Sequence, residues 1–386
     1  MVEIKRTKYL TLIKEKLSYL PSVAILGPRQ CGKTTLAKQF AQTIKKKEVH
    51  FFDLEDPNDL QRLENPSFTF EDLSGYIFID EIQRKPELFP ILRVLIDKKE
   101  KNTKFILLGS ASRDILEKSS ETLAGRIAYI ELGGFNLSLL PDEDIKKLWL
   151  RGGFPRSFLT RDDASSFAWR KDFISTFLER DIPNLGVRIP PNTLRRFWTM
   201  LSHYHGQSFN ASEIGSSFGI ADTTARHYVD ILVSTFLIRE LQPWHYNTKK
   251  RLVKRPKILF RDSGIFHSFA NIKNLQELNT HPKLGASWEA FALEQCIEIL
   301  NLKTDEVFFW SIHEQAELDL VFERDGNLYG VEVKYSETPS LTKSMQIAFQ
   351  ELDLKGIFVI YPGQKSYMLT DKIRVVSINN LENLDL

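Results

Sequence analysis

Val23-Ala24-Ile25-Leu26-Gly27-Pro28-Arg29-Gln30-Cys31-Gly32-Lys33-Thr34-Thr35 is an apolar run that breaks into a glycine-bounded loop, and the segment that follows, through Ala41, has helical spacing. Four consecutive apolar residues ending at glycine read as a buried strand. Gly27 to Thr34 fits G-x-x-x-x-G-K-[ST] without a mismatch, which is the Walker A pattern. In such a loop the backbone N–H groups of Gly27, Pro28, Arg29, Gln30, Cys31, Gly32, Lys33, Thr34 and Thr35, less the proline that has none, face a polyphosphate. Lys33 reaches its β and γ phosphates, and the Thr34 hydroxyl ligates Mg²⁺. The helix that starts here adds its dipole and free N–H groups to the anion site. The expected ligand is therefore Mg²⁺ with ATP or GTP.

Two further strands belong with this loop. Tyr76-Ile77-Phe78-Ile79-Asp80-Glu81 is apolar and ends in two acids, the form of a Walker B motif. Asp80 is expected to hold the Mg²⁺ shell and Glu81 to polarise the attacking water. Lys104 to Leu108 is apolar and then turns small and polar at Gly109-Ser110-Ala111-Ser112. A strand between the other two would bring Ser110, or secondarily Ser112, near the γ-phosphate; a helix cap is the competing reading. Leu123-Ala124-Gly125-Arg126 offers Arg126 either as an arginine finger or as a surface ion pair. Strands and helices alternate here, so the expected architecture is α/β, with a parallel sheet covered on both faces and Lys33, Asp80, Glu81 and Ser110 converging at the strands' carboxyl ends.

Composition narrows the reading less. In 386 residues, 52 basic side chains stand against 50 acidic ones, a net charge of +2, so the whole chain projects no field toward nucleic acid or membrane. Cys31 and Cys296 have no zinc spacing and suit a reducing compartment. The N-terminal segment mixes charge into its apolar positions, and no run of eighteen apolar residues occurs. A soluble cytoplasmic protein is expected, with no membrane partner and either a monomeric or a homo-oligomeric state.

GPRQCGKTTL, YIFIDEIQ, LLGSAS and LAGR, followed in order by RGGFP and FLERDI, resemble a widespread bacterial and archaeal family of AAA+-type ATPases with a C-terminal domain of unknown function. The resemblance implies ATP as the nucleotide, Ser110 in the place called sensor 1, and coverage of nearly the whole chain. Cys31 departs from it, since a small aliphatic residue is common there in that family.

Beyond Pro155 the texture changes. From Ala164 to Leu185 apolar residues recur at three and four (Phe167, Phe173, Ile174, Phe177, Leu178), which predicts a helical lid or connector with Arg180 and Asp181 near its end. Three helices follow: Leu194–His205, Ala211–Phe218 and Thr223–Leu237. The turn Gly219-Ile220-Ala221-Asp222 makes them resemble a helix-turn-helix, with a wing from Ile238. Thr223, Thr224, Arg226 and His227 face outward as candidate DNA contacts. The run from Lys249 to Lys257, with Lys249, Lys250, Arg251, Lys254 and Arg255, suits phosphates. A solvated loop or a protein-contact module would carry the same pattern.

Near the C-terminus, Glu317-Leu318-Asp319-Leu320-Val321-Phe322 and Tyr329-Gly330-Val331-Glu332-Val333-Lys334 alternate about a turn at Arg324–Asn327. A hairpin of this kind places Asp319, Glu332 and Lys334 on one face. It resembles the D…E-x-K core of PD-(D/E)XK nucleases, with Glu289 on a preceding helix as a further acid, and the resemblance implies Mg²⁺ and a possible nuclease site. Salt-bridged hairpins alternate in the same way. The expected domains are an AAA+-like P-loop ATPase (1–150), a helical lid (151–190), a winged-helix-like domain (191–255) and a PD-(D/E)XK-like α/β domain (256–386). Two roles are expected for the assembly: an ATPase coupled to nucleic-acid binding and processing, or an ATP-gated scaffold for a protein partner with an inactive nuclease-like domain. A small-molecule kinase is weaker, since no acceptor site reads from the chain.

Overall fold

The apolar run before the glycine loop forms strand β1, Ser22–Leu26, buried over its whole length. Around it the computed structural model places β2 (Val49–Asp53), β3 (Tyr76–Asp80), β4 (Lys104–Gly109) and β5 (Ile127–Glu131) in one parallel sheet of order β2-β3-β4-β1-β5. Alternate residues of β1 serve opposite cores. Val23 and Ile25 pack with Ile13, Leu17, Leu36 and Phe40, whereas Ala24 and Leu26 pack with Leu88, Phe89 and Leu92. Helices therefore cover both faces, as a parallel sheet requires. Phe40 also meets Tyr76 edge-on at 6.0 Å, and its truncation to Ala should cost about 3–5 kcal/mol.

The structure describes residues 4–45, 48–98, 103–110, 123–244, 255–312 and 315–384. These fall into two compact units, Met1–Gly134 with Ser234–Phe236, and Phe135–Val233 with Leu237–Leu386. The first unit thus closes at Gly134 rather than near 150. Among the described residues no helix is long and apolar enough to cross a membrane.

The second unit is built on a mixed sheet of nine strands. Its members are β6 (Gln207–Ser208), β7 (Ile238–Pro243), β8 (Lys257–Phe260), β9 (Val307–Ile312), β10 (Ala316–Arg324), β11 (Asn327–Val333), β12 (Gly356–Tyr361), β13 (Tyr367–Thr370) and β14 (Ile373–Ser377), in the order β13-β14-β12-β11-β10-β9-β7-β8-β6. Ile238, where a wing was expected, begins β7, which is antiparallel to β8 and parallel to β9. One sheet therefore crosses the expected boundary at 255/256.

The helices before β7 have local causes. Ala211–Phe218 stops at Gly219, whose φ of 73° allows Ile220 N–H to bond Gly215 C=O at 2.9 Å, the six-to-one closure of a Schellman turn. The next helix, Asp222–Ser234, ends three residues before the expected Leu237. Phe236 takes φ 62° there, and Leu237 N–H bonds Leu232 C=O at 3.1 Å in the same closure without a glycine. Phe167, Phe173, Ile174, Phe177 and Leu178 are all buried, on a helix that passes through one π turn at Phe177–Asp181. Gly152 in the RGGFP stretch has φ 77°, and a Cβ there would lie 2.1 Å from the Asp262 carboxylate. That buried carboxylate accepts Gly153 N–H at 2.7 Å and caps the helix Ser263–Phe269 through Ile265 N–H at 2.8 Å.

Candidate nucleotide site and a second acid cluster

Residues 27–32 form a loop between β1 and the helix Lys33–Ala41, and the backbone turns that make it an anion cradle are visible in its dihedrals. Gln30 and Gly32 take φ of 63° and 103°. A Cβ on Gly27 would lie 2.1 Å from Leu132 O, so only glycine lets β1 leave the sheet here. Arg6 braces the loop from outside, donating to Cys31 O at 2.7 Å and Gly133 O at 3.0 Å. The Cys31 thiol is buried and donates to Leu132 O at 3.3 Å. Lys33 Nζ rests on loop carbonyls, Gly27 O and Pro28 O, both at 2.9 Å, and on no carboxylate. An arriving phosphate thus competes with neutral acceptors rather than with a salt bridge.

Strand order delivers the acids to the same loop. β4 lies between β1 and β3, so the ends of all three open onto one crevice, as expected for Ser110. Thr34 Oγ1 donates to Asp80 Oδ2 at 2.6 Å, and Asp80 Oδ1 accepts Glu81 N–H at 2.9 Å. Burial raises the Asp80 carboxyl above its ordinary value, and the Thr34 hydrogen bond opposes that shift. A hydroxyl and a carboxylate side by side are hard oxygen donors of the kind Mg²⁺ takes when phosphates complete its shell, so the donor set fits that ion.

Glu81 sits at φ 54°, in the left-handed region that costs a non-glycine residue about 1–3 kcal/mol and recurs at functional sites. Two side chains fix its carboxylate. Ser110 Oγ donates to Glu81 Oε2 at 3.2 Å, while Gln83 Nε2 donates to that same oxygen and to Ser110 Oγ, the latter at 2.9 Å. Gln83 was not singled out from the sequence, although it ends the YIFIDEIQ stretch. Its position two residues beyond Glu81, past the kink, was the available signal. Arg29 and Arg84 likewise share Glu55, at 3.1 and 3.4 Å, beside the loop.

Arg126 requires correction. Its carbonyl accepts Ser22 N–H at the start of β1, and its guanidinium clasps Asp97 at 2.7 and 3.0 Å. The five residues of β1 separate it from the loop, about 16 Å at 3.3 Å per residue. It does not reach the nucleotide site of its own chain, and the surface ion pair is what forms. Ser112 lies outside the described residues.

In the second unit the hairpin of β10 and β11 forms in the expected register, Leu320 facing Val331, so Asp319 falls opposite Glu332. Asp319 is buried and accepts Val333 N–H at 2.7 Å. Glu332 is buried too: Lys334 Nζ bonds its Oε1 at 2.5 Å, and its Oε2 has no partner. Glu289 arrives from the helix Leu284–Ile299. Burial, then the neighbouring Asp319 charge, pushes Glu289 and Glu332 each up to about 8. The sequence missed the side chain that completes this group. Lys257, counted in the basic run as a phosphate contact, is 5% exposed at the head of β8 and pairs with Glu317 and, at 3.8 Å, with Glu289. Among the described residues no three His, Cys, Asp or Glu side chains are spaced to hold a metal ion. With the Lys257 ammonium standing among these carboxylates, the donor set as arranged does not fit a divalent cation.

The expected DNA contacts divide. Thr223 and His227 are exposed and Thr224 half-buried. Arg226 is already engaged by Glu240 and, at 2.8 Å, by Asp230, so it is not a free phosphate ligand. Arg255 is exposed, while Lys249, Lys250, Arg251 and Lys254 lie outside the described residues.

Residues 20–139 match a family described as an AAA domain, 142–276 a domain of unknown function (DUF8612) and 284–381 a second one (DUF4143). Over 378 residues the chain is 43% identical to the uncharacterized protein Rv2008c of Mycobacterium tuberculosis and equally to Mb2031c of Mycobacterium bovis, spanning 98% of this chain and 85% of each relative. Among solved structures, the Walker-type ATPase PabY2304 of Pyrococcus abyssi gives a TM-score of 0.45 at 15% identity, covering 69% of this chain and 96% of that one. A RuvB mutant of Thermotoga maritima gives 0.31 at 21%, covering 62% and 90%. The chain belongs to the family of those two mycobacterial proteins, and within it residues 20–139 match an AAA domain and 284–381 the DUF4143 domain.

Proposed function

We propose that the protein hydrolyses ATP at the crevice of its first unit and uses the cycle to gate binding by its second. The observation that carries the reading is the convergence of Thr34 with Asp80 and of Glu81 with Gln83 and Ser110 at the ends of β1, β3 and β4. Mg²⁺, when bound, neutralises developing charge on the β and γ phosphates. Thr34 and Asp80 would hold it. Lys33 leaves its loop carbonyls for the phosphates, and Glu81 orients a water and accepts its proton. The water oxygen bonds to the γ phosphorus as the bond to the bridging oxygen breaks.

For the second unit, the ion pairs of Lys257 favour a scaffold whose nuclease-like acids do not cut. A nucleic acid is the alternative cargo, through Thr223, Thr224, His227, Arg255 and the segment 249–254. The test is steady-state MgATP turnover of the full chain with and without single- and double-stranded DNA, beside a Mg²⁺/Mn²⁺ cleavage assay. Turnover without cleavage is expected. DNA-stimulated turnover that weakens when Lys249, Lys250, Arg251, Lys254 and Arg255 become Ala, with a shallower salt dependence, selects the nucleic-acid cargo. No MgATP turnover under any condition removes the proposal.

A further inference from the structure

The four acids of the second unit have two amines among them, and the placement of those amines decides what the cluster does. Lys334 bonds Glu332 from the rim, with 38% of its side chain exposed. Lys257 enters from β8, a strand of another part of the sheet, with 6% of its side chain exposed, and lies between Glu317 of β10 and Glu289 of the helix Leu284–Ile299. Its Nζ also stands 5.3 Å from the centre of the Phe309 ring. Burying this ammonium beside Glu289 and Glu317 offsets its desolvation, and its charge in turn favours the ionised form of the buried acids Glu289 and Asp319.

We propose that Lys257 is the resident cation of this cluster and keeps divalent metal out of it. The inference rests on the scaffold reading above and gives its cause: an ammonium and a divalent ion compete for the same carboxylate oxygens, so an entering metal must displace the amine. Glu332 Oε2 is buried without a hydrogen-bond partner and is the acceptor of the cluster left unused. Lys257 is anchored through Ser208 and Leu241, its register partners on β6 and β7, so the amine returns to the same position whenever the sheet is intact. With the amine in place these acids are not spaced to hold a metal ion; removing it leaves Glu289, Asp319 and Glu332 with excess negative charge and hard oxygens that a divalent ion would draw together.

The test is Mn²⁺ binding to the nucleotide-free full chain, read by electron paramagnetic resonance of free Mn²⁺. Wild type, Lys257→Met, Asp319→Asn and the Lys257→Met/Asp319→Asn double variant are compared. Asp319→Asn retains an acceptor for Val333 N–H, and its difference from the parent isolates this cluster from Thr34 and Asp80. Wild type should show no Asp319-dependent Mn²⁺ site, whereas Lys257→Met should gain one at least roughly tenfold tighter, lost in the double variant. A folded Lys257→Met chain, judged by thermal unfolding, that gains nothing would overturn the proposal. So would micromolar Asp319-dependent binding in wild type, a result that needs no Lys257 variant to fold. MgATP turnover measured on the same samples is independent of the Mn²⁺ result, so loss of the ATPase reading and loss of this one are separate outcomes.

Discussion

Among the described residues, acids gather at the strand ends of the first unit and again around β10 and β11 of the second, and the two groups differ in where their amines rest. In the first unit Lys33 sits on the carbonyls of Gly27 and Pro28, and Asp80 takes a neutral hydroxyl from Thr34, so among the described residues neither is held in a direct ion pair. In the second, Lys257 and Lys334 are bound to carboxylates. A site awaiting a charged ligand keeps its charges on neutral partners. A cluster that satisfies itself has little to offer one.

The sharpest way to break this comparison is Lys33→Ala. If Lys33 turns to the phosphates as proposed, its loss removes charge-assisted bonds, and ATP affinity should fall on the order of a hundredfold or more by fluorescent-nucleotide titration. A shift below threefold would mean that Lys33 is no freer for a ligand than Lys257.

Gln83→Ala should have the next largest effect. Its amide holds Glu81 and Ser110 together, so kcat should drop roughly tenfold while KM stays near wild type, with partial rescue in Gln83→Asn. Equal changes in kcat and KM would assign Gln83 to folding rather than positioning.

A smaller effect separates the units by pH. His205 and His267 of the second unit are held neutral, with pKa lowered to about 3 first by burial; His205 accepts Phe260 N–H at 3.1 Å, and His267 bonds Leu150 O and Ser287. The unfolded chain takes up these protons near pH 6.5 and the folded one near 3. Stability is therefore fully present above 6.5 and lost as pH falls toward 3, by up to about 1.4 kcal/mol per pH unit for each histidine. Glu289 and Glu332, raised to about 8, gain stability over the same window, so the histidine effect is read as a difference: in thermal scans from pH 7.5 to 4.5 wild type should lose more stability, or gain less, than a His205→Gln/His267→Gln chain. The same acid dependence in both chains would contradict their buried, neutral state.

The first unit's site was legible in the sequence because it is local. Residues 27–34 and 76–81 are contiguous, and the alternation of strands and helices places their ends together. Gln83 was hidden because its role depends on the left-handed turn at Glu81. Arg126 stayed open between a finger and an ion pair because a lone arginine after Gly125 says nothing about which end of the sheet it occupies. Asp319, Glu332 and Lys334 were found by the period of two. Lys257 was not, since its neighbours in sequence are basic and its partners lie on β10 and a helix thirty or more residues away. A charge run shows its members' sign, but only the sheet register shows which of them turns inward.

The most direct measurement compares MgATP turnover and nucleotide binding in wild type, Glu81→Gln and Asp319→Ala. The account predicts a Glu81→Gln chain that binds ATP as wild type does and turns it over at least about a hundredfold more slowly, because only water activation is lost. Asp319→Ala should hydrolyse at the wild-type rate. Wild-type turnover in Glu81→Gln, or its loss in Asp319→Ala, would contradict the assignment of hydrolysis to the first unit's crevice.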